Sequence, residues 1–368
     1  MDQPSPVSLT ARRAVVTTAL AVLLAAAVLA SATIGQLPVP PSEVLGSVLR
    51  AIGIQNSWAP TDPTVEATLW AVRFPRTAMA IVVGASLALA GAVMQAIFGN
   101  PLAEPGVVGI SAGGALGAAL GIVLGLTVFG PWTTAVLAFV GALGATLLVY
   151  AVSRSGGRTE VVTLLLTGIA VNAFAGAGLA FMLFVADTGG REQIVFWQLG
   201  SLNGSRWPEA GIVAVVLVIA GGIAFARSRG YDLLALGERN ARHLGVNVER
   251  LRFVSIVLVA LLTGAAVAFA GIISFVGLVV PHLIRMLIGP THRPLILCSA
   301  LGGALLLVVS DVLARTVVVG ADLPIGLAIF DRTRVLQLFN PALAELTALQ
   351  PEFLISRPTL SAVLDAMR

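Results

Sequence analysis

Nine apolar segments, at approximately 14–36, 76–98, 107–128, 132–150, 161–185, 210–226, 253–270, 272–288 and 295–313, occupy most of the 368-residue chain. Most match the roughly 20 residues that a helix needs to cross the hydrocarbon core of a bilayer. In hydrocarbon every backbone N–H and C=O must find its partner within the protein, so runs of this length are expected to be helical. Apolar residues make up 57% of the chain and charged residues only 11%, with a mean hydropathy of +0.97, far from the composition of a soluble domain. The expectation is an all-α polytopic membrane protein with about nine to ten transmembrane helices. A soluble enzyme and a single-span receptor are excluded.

The charges narrow the chemistry further. All 22 basic residues are arginine. Without lysine there is no phosphate-binding loop of the G-x-x-x-x-G-K-[ST] type, no Schiff base and no lysine general base, so any ATP hydrolysis of that kind belongs to a partner chain. The arginines stand singly between apolar runs and build no basic stripe, which excludes nucleic acid as a partner despite a pI near 10.4. They read as topology signals. The first segment follows Arg12 and Arg13 and is expected to be a retained helix, with the N-terminus in the cytoplasm.

Alternating from there, the arginine-bearing loops at 153–160, 227–252 and 285–293 fall inside, in keeping with the positive-inside rule. The stretches at 37–75, 129–131, 186–209 and 314–326 fall outside. Arg73 and Arg76 oppose this trend at the outer mouth of a helix, serving either a partner outside or lipid headgroups. Cys298 is the only cysteine, and His243, His282 and His292 form no metal-binding cluster with it, so neither a disulfide nor a cofactor is expected. His282, within an apolar run, reads as a packed residue.

Glycines Gly113, Gly117, Gly121 and Gly125 recur four apart, a stripe that lets another helix approach closely. With Gly84, Gly91, Gly168, Gly176 and Gly178 they describe a compact glycine-rich bundle. Two stretches break the helical pattern. Phe98 to Gly109 contains Asn100, Pro101, Glu104 and Pro105, and non-helical backbone at membrane depth is tolerated only where protein or a water-filled cavity satisfies it, so this segment is expected to line or gate a pathway. Gly271 to Arg285 carries Pro281 inside a short apolar run. Ala88-Leu-Ala-Gly91 precedes the first break and Ala268-Phe-Ala-Gly271 the second, the mark of an internal repeat of the transporter kind. In the loop 227–252, Asp232 is expected to cap one short amphipathic helix, with Leu233, Leu236 and Leu244 as its apolar positions and Gly245 as its end.

These residues resemble the FecCD family of ATP-binding-cassette importer permeases, which carry iron–siderophore complexes, haem or cobalamin. The resemblance rests on Arg73-Phe-Pro-Arg76, Gly84 to Gly91, Gln95 with Asn100 to Gly106, Trp197 with Gly200-Ser-Leu202, Leu236-Gly-Glu238 with His243-Leu-Gly245, Phe275 to His282 and Asp311 to Thr316, in the family's order over roughly 10–326. It implies the fold of a type II ABC importer permease in the cytoplasmic membrane. It also implies a homodimer or a pair with a related permease, two cytoplasmic ATPase subunits and an extracytoplasmic substrate-binding protein.

By the same resemblance Arg73, Arg76 and Arg315 would dock the binding protein. Leu233, Leu236, Gly237, Glu238, Arg242, His243, Leu244 and Gly245 would form the element that sits in a groove of the ATPase. Gln95, Asn100, Pro101, Glu104, Pro105 and Asn172 would line or gate the pathway. The cargo would be an iron(III)–siderophore complex, with cobalamin or haem as alternatives.

One departure concerns residues 327–368. Where the family continues into a last transmembrane helix, this chain has Asp331, Arg332 and Arg334, which make a span costly. The permease domain is therefore expected to end near 326, with a divergent tail in which the last helix is missing or replaced. A gradient-driven secondary transporter would need acidic residues within the spans, and only Glu104 and Asp311, near segment ends, qualify. A membrane enzyme would need a catalytic cluster, and none is visible.

Overall fold

The computed structural model describes residues 6–35, 37–155, 158–316, 328–330, 336–339 and 362. The chain divides into Met1–Asp311 and Val312–Arg368. Each of the nine apolar segments becomes a helix, the last of them running past Asp311. In chain order the helices are α1 (Pro6–Thr33), α2 (Pro41–Ala51), α3 (Pro63–Thr68), α4 (Phe74–Phe98), α5 (Ile110–Val123), α6 (Thr133–Val152), α7 (Val161–Val185), α8 (Thr188–Leu199), α9 (Trp207–Ala226), α10 (Ser228–Leu234), α11 (Glu238–His243), α12 (Val248–Ala270), α13 (Val276–Ile288) and α14 (His292–Thr316). Among the described residues, seven stretches are long and apolar enough to cross a membrane, and α5 and α13 are shorter apolar helices.

Contacts at the two ends set α4 and α13 antiparallel to α1 and α14. At one end Arg13, in the first turns of α1, donates to Ile288 O and Thr291 Oγ1, where α13 gives way to α14. At the other end Arg73, just ahead of α4, reaches the last carbonyls of α1. The layering follows composition. The span containing α4 has 83% of its apolar window buried and α12 has 72%, against 6% for α1 and 11% for α7. Helix α4 is the central post, packed by α9, α12 and α13, and alanine and glycine recur along its buried length from Ala80 to Ala96.

Small residues set how close the neighbours come. A methyl group built on Gly84 would strike the Gly303 carbonyl of α14, and one on Gly91 would strike Gly277 at the start of α13. In lipid, where no hydrophobic effect draws helices together, such close backbone contact is the main source of packing energy. The expected stripe on α5 holds for Gly113, Gly117 and Gly121, which face Gly141 and Leu137 of α6. Gly125 does not belong to it: the helix ends at Val123 and Gly125 turns left-handed (φ 58°).

A second difference lies in the loop 227–252, which holds two short helices and not one. Gly237 (φ 97°) separates α10 from α11, and Asp232 sits inside α10. Its carboxylate is engaged elsewhere, accepting from the backbone N–H of His292 at 2.8 Å and facing His292 Nδ1 at the same distance, so it caps α14. Gly245 does end α11, in a left-handed turn. The loop 153–160 forms a two-residue antiparallel pair, β1 (Arg154–Ser155) with β2 (Arg158–Thr159).

The second unit contains the final residues of α14 and an antiparallel pair, β3 (Ala328–Phe330) with β4 (Leu336–Phe339), in which Ala328 is opposite Phe339. The expectation of a lost last helix falls on 327–368, which lies largely outside the described residues.

Replacing Gly91 by Leu is expected to drive α4 from α13 and abolish a monodisperse, cooperatively melting protein in detergent. Gly176→Ala, where a methyl meets open space, should melt at or slightly above the parent temperature, since alanine is favoured over glycine in a helix by about 1 kcal/mol. A parent-like melt for Gly91→Leu would contradict this packing.

Candidate functional site

Three regions hold the residues singled out from sequence. At the Arg73 end, a π-helical turn at Leu69–Arg73 joins α3 to α4 and rotates Arg73 inward. Arg73 is only 5% exposed, and its guanidinium donates to the carbonyls of Ala32, Thr33 and Leu37. Those carbonyls close α1 and open the following loop, so a cation here satisfies acceptors that a helix C-terminus leaves orphaned. Arg73 is thus an internal fastening, and its charge is not displayed. Arg76 donates from Nε to Asp311 Oδ1 of α14 at 2.9 Å, with both side chains largely buried. Arg315 lies in the last turn of α14, in the second unit.

In the middle of the bundle the two broken stretches meet. Helix α4 ends at Gly99 in a left-handed turn, and Asn100 Oδ1 accepts from Leu102 N–H at 2.9 Å, fixing the turn that carries Pro101 outward. The chain then runs extended through Glu104 into a single 3₁₀ turn at Pro105–Val108. Its backbone is satisfied in part from α7, where Asn172 Nδ2 donates to Gly106 O at 3.1 Å and Gly168 packs against the Val107 carbonyl. The second break, between α12 and α13, passes through Phe275, the one non-glycine residue with positive φ (68°) among the described residues. Left-handed backbone costs a bulky residue about 1–2 kcal/mol, and with the Phe275 side chain 68% exposed this is offset at the backbone, where its carbonyl accepts from the N–H groups of Leu278 and Val279 as α13 begins. A methyl on Gly277 would lie 3.2 Å from Pro105 Cδ, so the two breaks touch.

Around this junction is an open recess of about 480 Å³ lined by Glu104, Ser111, Asn172, Gln198 and Ser274, and beside it a small cavity of about 30 Å³ that adds Thr263 and Phe275. Glu104 is the only ionisable side chain in either lining. Sequence reading found Glu104 and Asn172 but missed Ser111, Gln198, Thr263 and Ser274, because a single hydroxyl or amide in an apolar helix carries no signal of which face it occupies. Gln95 stands apart from the recess. It is 2% exposed, and Nε2 donates to Leu278 O, tying α4 to α13.

At the opposite end from Arg73, α10 and α11 project between α9 and α12. Tyr231 anchors α10. It is fully buried, its hydroxyl is 2.9 Å from Ser255 Oγ of α12, and burial raises the phenol above its usual pKa. Ala241 anchors α11, while Leu236 and Leu244 flank that helix at 60% and 59% exposure. Gly237, Glu238, Arg242, His243 and Gly245 are all exposed, and Leu233 is half-buried. Two apolar knobs on a charged helical turn make a surface suited to a groove in another protein.

A profile of the FecCD transport family matches residues 23–330. The chain is 40% identical to the hemin transport system permease protein HmuU of Yersinia pestis, over 70% of this chain and 77% of that one. It is 39% identical to the cobalamin import system permease protein BtuC of Halobacterium salinarum, over 72% and 70%. It is likewise 39% identical to the Fe(3+)-citrate import system permease protein YfmD of Bacillus subtilis, over 70% and 75%. Among solved structures it matches a metal-chelate type ABC transporter in an inward-facing conformation, with a TM-score of 0.73 and 31% identity over 84% of this chain and 92% of that one.

Asp311→Asn is expected to lower stability by about 3 kcal/mol, since a largely buried guanidinium would face a neutral amide. It should be read as a fall in melting temperature that a paired Arg76→Met, Asp311→Leu variant largely recovers. No fall would remove the pair as a fastening between α4 and α14.

Proposed function

The chain belongs to the FecCD transport family, and on that premise we propose that it carries an iron(III)–siderophore complex inward across the cytoplasmic membrane. It is an ABC importer permease of the FecCD type. The observation that carries the choice of cargo is the match to a metal-chelate type transporter over most of both chains. Relatives named for hemin, cobalamin and Fe(3+)-citrate support haem and cobalamin equally as cargoes.

The recess suits such a role. A large chelate needs a wide cavity that binds weakly, and hydroxyl and amide groups with one carboxylate give hydrogen bonds without a deep electrostatic trap. In this reading Asn100, Pro101, Glu104, Pro105 and Asn172 border the pathway in a dimer with a second copy or a related permease, and Gln95 holds the wall behind them. The N-terminus and the α10–α11 end face the cytoplasm, where two ATPase subunits receive Leu233 to Gly245. The Arg73 end faces outward and receives the substrate-binding protein. In this reading Arg315 offers charge that steers docking, while Arg73 and the Arg76–Asp311 pair hold the end of the bundle in shape.

The test is uptake of labelled ferric siderophores, haem and cobalamin into cells lacking their own importers and supplied with this chain, its ATPase and its binding protein. ATP-dependent accumulation of a ferric siderophore is expected, and accumulation of haem or cobalamin alone would overturn the choice of cargo. Leu236→Asp should reduce co-purification of the ATPase by about tenfold, the scale of losing one apolar anchor at an interface; undiminished co-purification would remove α11 as the contact.

A further inference from the structure

Arg252 was read from sequence only as one of the positive charges of a cytoplasmic loop. In the structure it is 5% exposed, in the second turn of α12, and its two terminal nitrogens point to different elements. One Nη donates to the carbonyl of Thr159 at 3.1 Å, and the other is bonded to the carboxylate of Glu238, the first residue of α11. Glu249, one turn earlier on α12, accepts from the Thr159 N–H at 3.0 Å. Both backbone groups of Thr159 are therefore held by side chains of α12. Arg242 closes the set, 3.5 Å from Glu238 and 3.8 Å from Glu249.

Thr159 is not an arbitrary recipient. It is the last residue of β2, and Glu160, which follows it, is the N-cap of α7. Helix α7 carries Asn172 against the first broken stretch and is one of the two least buried long helices. Most of its surface lies outside the bundle, and its packing is chiefly on α5, α6 and the first broken stretch. Glu238 leads α11, the helix flanked by exposed Leu236 and Leu244. A planar guanidinium with donors in a rigid fork ties two acceptors at fixed separation, which a lysine ammonium on a flexible stem does not.

We infer that Arg252 is a positioning residue that passes a displacement of α11 to the start of α7, and so to the recess bordered by Glu104 and Asn172. The inference rests on the reading of α11 as the ATPase contact. A merely structural staple would lower stability when cut. A relay would also change how much cargo moves for each ATP hydrolysed.

The experiment uses the full chain, assembled with its ATPase and binding protein in proteoliposomes, and measures cargo taken up per ATP hydrolysed for the parent, Arg252→Gln, Arg252→Lys, Glu238→Gln and the double variant Glu238→Gln, Arg252→Gln. Each Gln single is expected to lower the ratio by about tenfold, within the span found for residues that couple distant sites. Because both act through one link, the double variant should be no worse than the poorer single. Arg252→Lys should recover the melting temperature more fully than the ratio. Losses that multiply in the double variant would overturn the relay, as would a parent-like ratio in Glu238→Gln, whose half-exposed side chain puts folding at little risk. Failure of the parent chain to co-purify with the ATPase would instead overturn the reading of α11, and the relay with it.

Discussion

Lipid tails are as apolar as leucine, so a helix gains nothing from leaving them for another helix unless the two backbones approach closely enough for dispersion to outweigh lost lipid contact. Every other part of this structure depends on that condition being met along α4. Gly84 and Gly91 are spaced two turns apart on one face, and each admits the backbone of a different neighbour, α14 and α13. The fastenings at the Arg73 end gain their meaning from this contact. Arg76 reaches Asp311 because α14 already lies against α4, and Arg73 reaches the end of α1 because a π-turn rotates it toward the bundle.

The same post organises the polar interior. Two chain breaks would each leave backbone groups exposed to hydrocarbon, and neither is affordable alone. Brought together, they share one polar volume: Asn172 serves the first break, and Pro105 of the first sits against Gly277 of the second. The similar Ala-x-Ala-Gly sequences before each break lie on α4 and α12, the two most buried long helices, which pack on one another. The recess is therefore a product of where two central helices stop.

How much of this was legible in the sequence depended on range. Apolar runs and the breaks between them are local signals, and the nine expected segments correspond to nine helices with ends shifted by a few residues, most of all at Pro6, where α1 begins ahead of its arginines. The loop 227–252 was half legible. Gly245 ends a helix as expected, but the local pattern makes Asp232 the cap of its own helix, and its partner is the N–H of His292, sixty residues on. Arg252 illustrates the limit most clearly: its acceptors lie 14 and 93 residues away, and nothing in its neighbourhood distinguishes it from Arg250, which is exposed. The burial of Arg73 was illegible for a different reason, since a π-turn changes the face on which every following residue lies, and no residue type announces one.

Helix α7 has a property that its packing implies. Its closest backbone approach to the bundle falls at Gly168, against the Val107 carbonyl, seven residues from its start at Val161 and seventeen from its end at Val185, while the longer arm rests its side chains Leu179, Met182 and Leu183 on the cluster of Ala119 and Ile194. At 1.5 Å per residue these arms are about 10 Å and about 26 Å long. Were the helix to turn about Gly168 as a rigid rod, a sideways shift of about 1 Å at Val161 would carry the far tip through about 2.5 Å in the opposite sense, against the packing of Leu179, Met182 and Leu183. Asn172 is only four residues beyond the fulcrum, so its bond to Gly106 would hardly stretch. A rod pivoted in this way moves its two ends in opposite senses, in a ratio set by the placement of a single glycine.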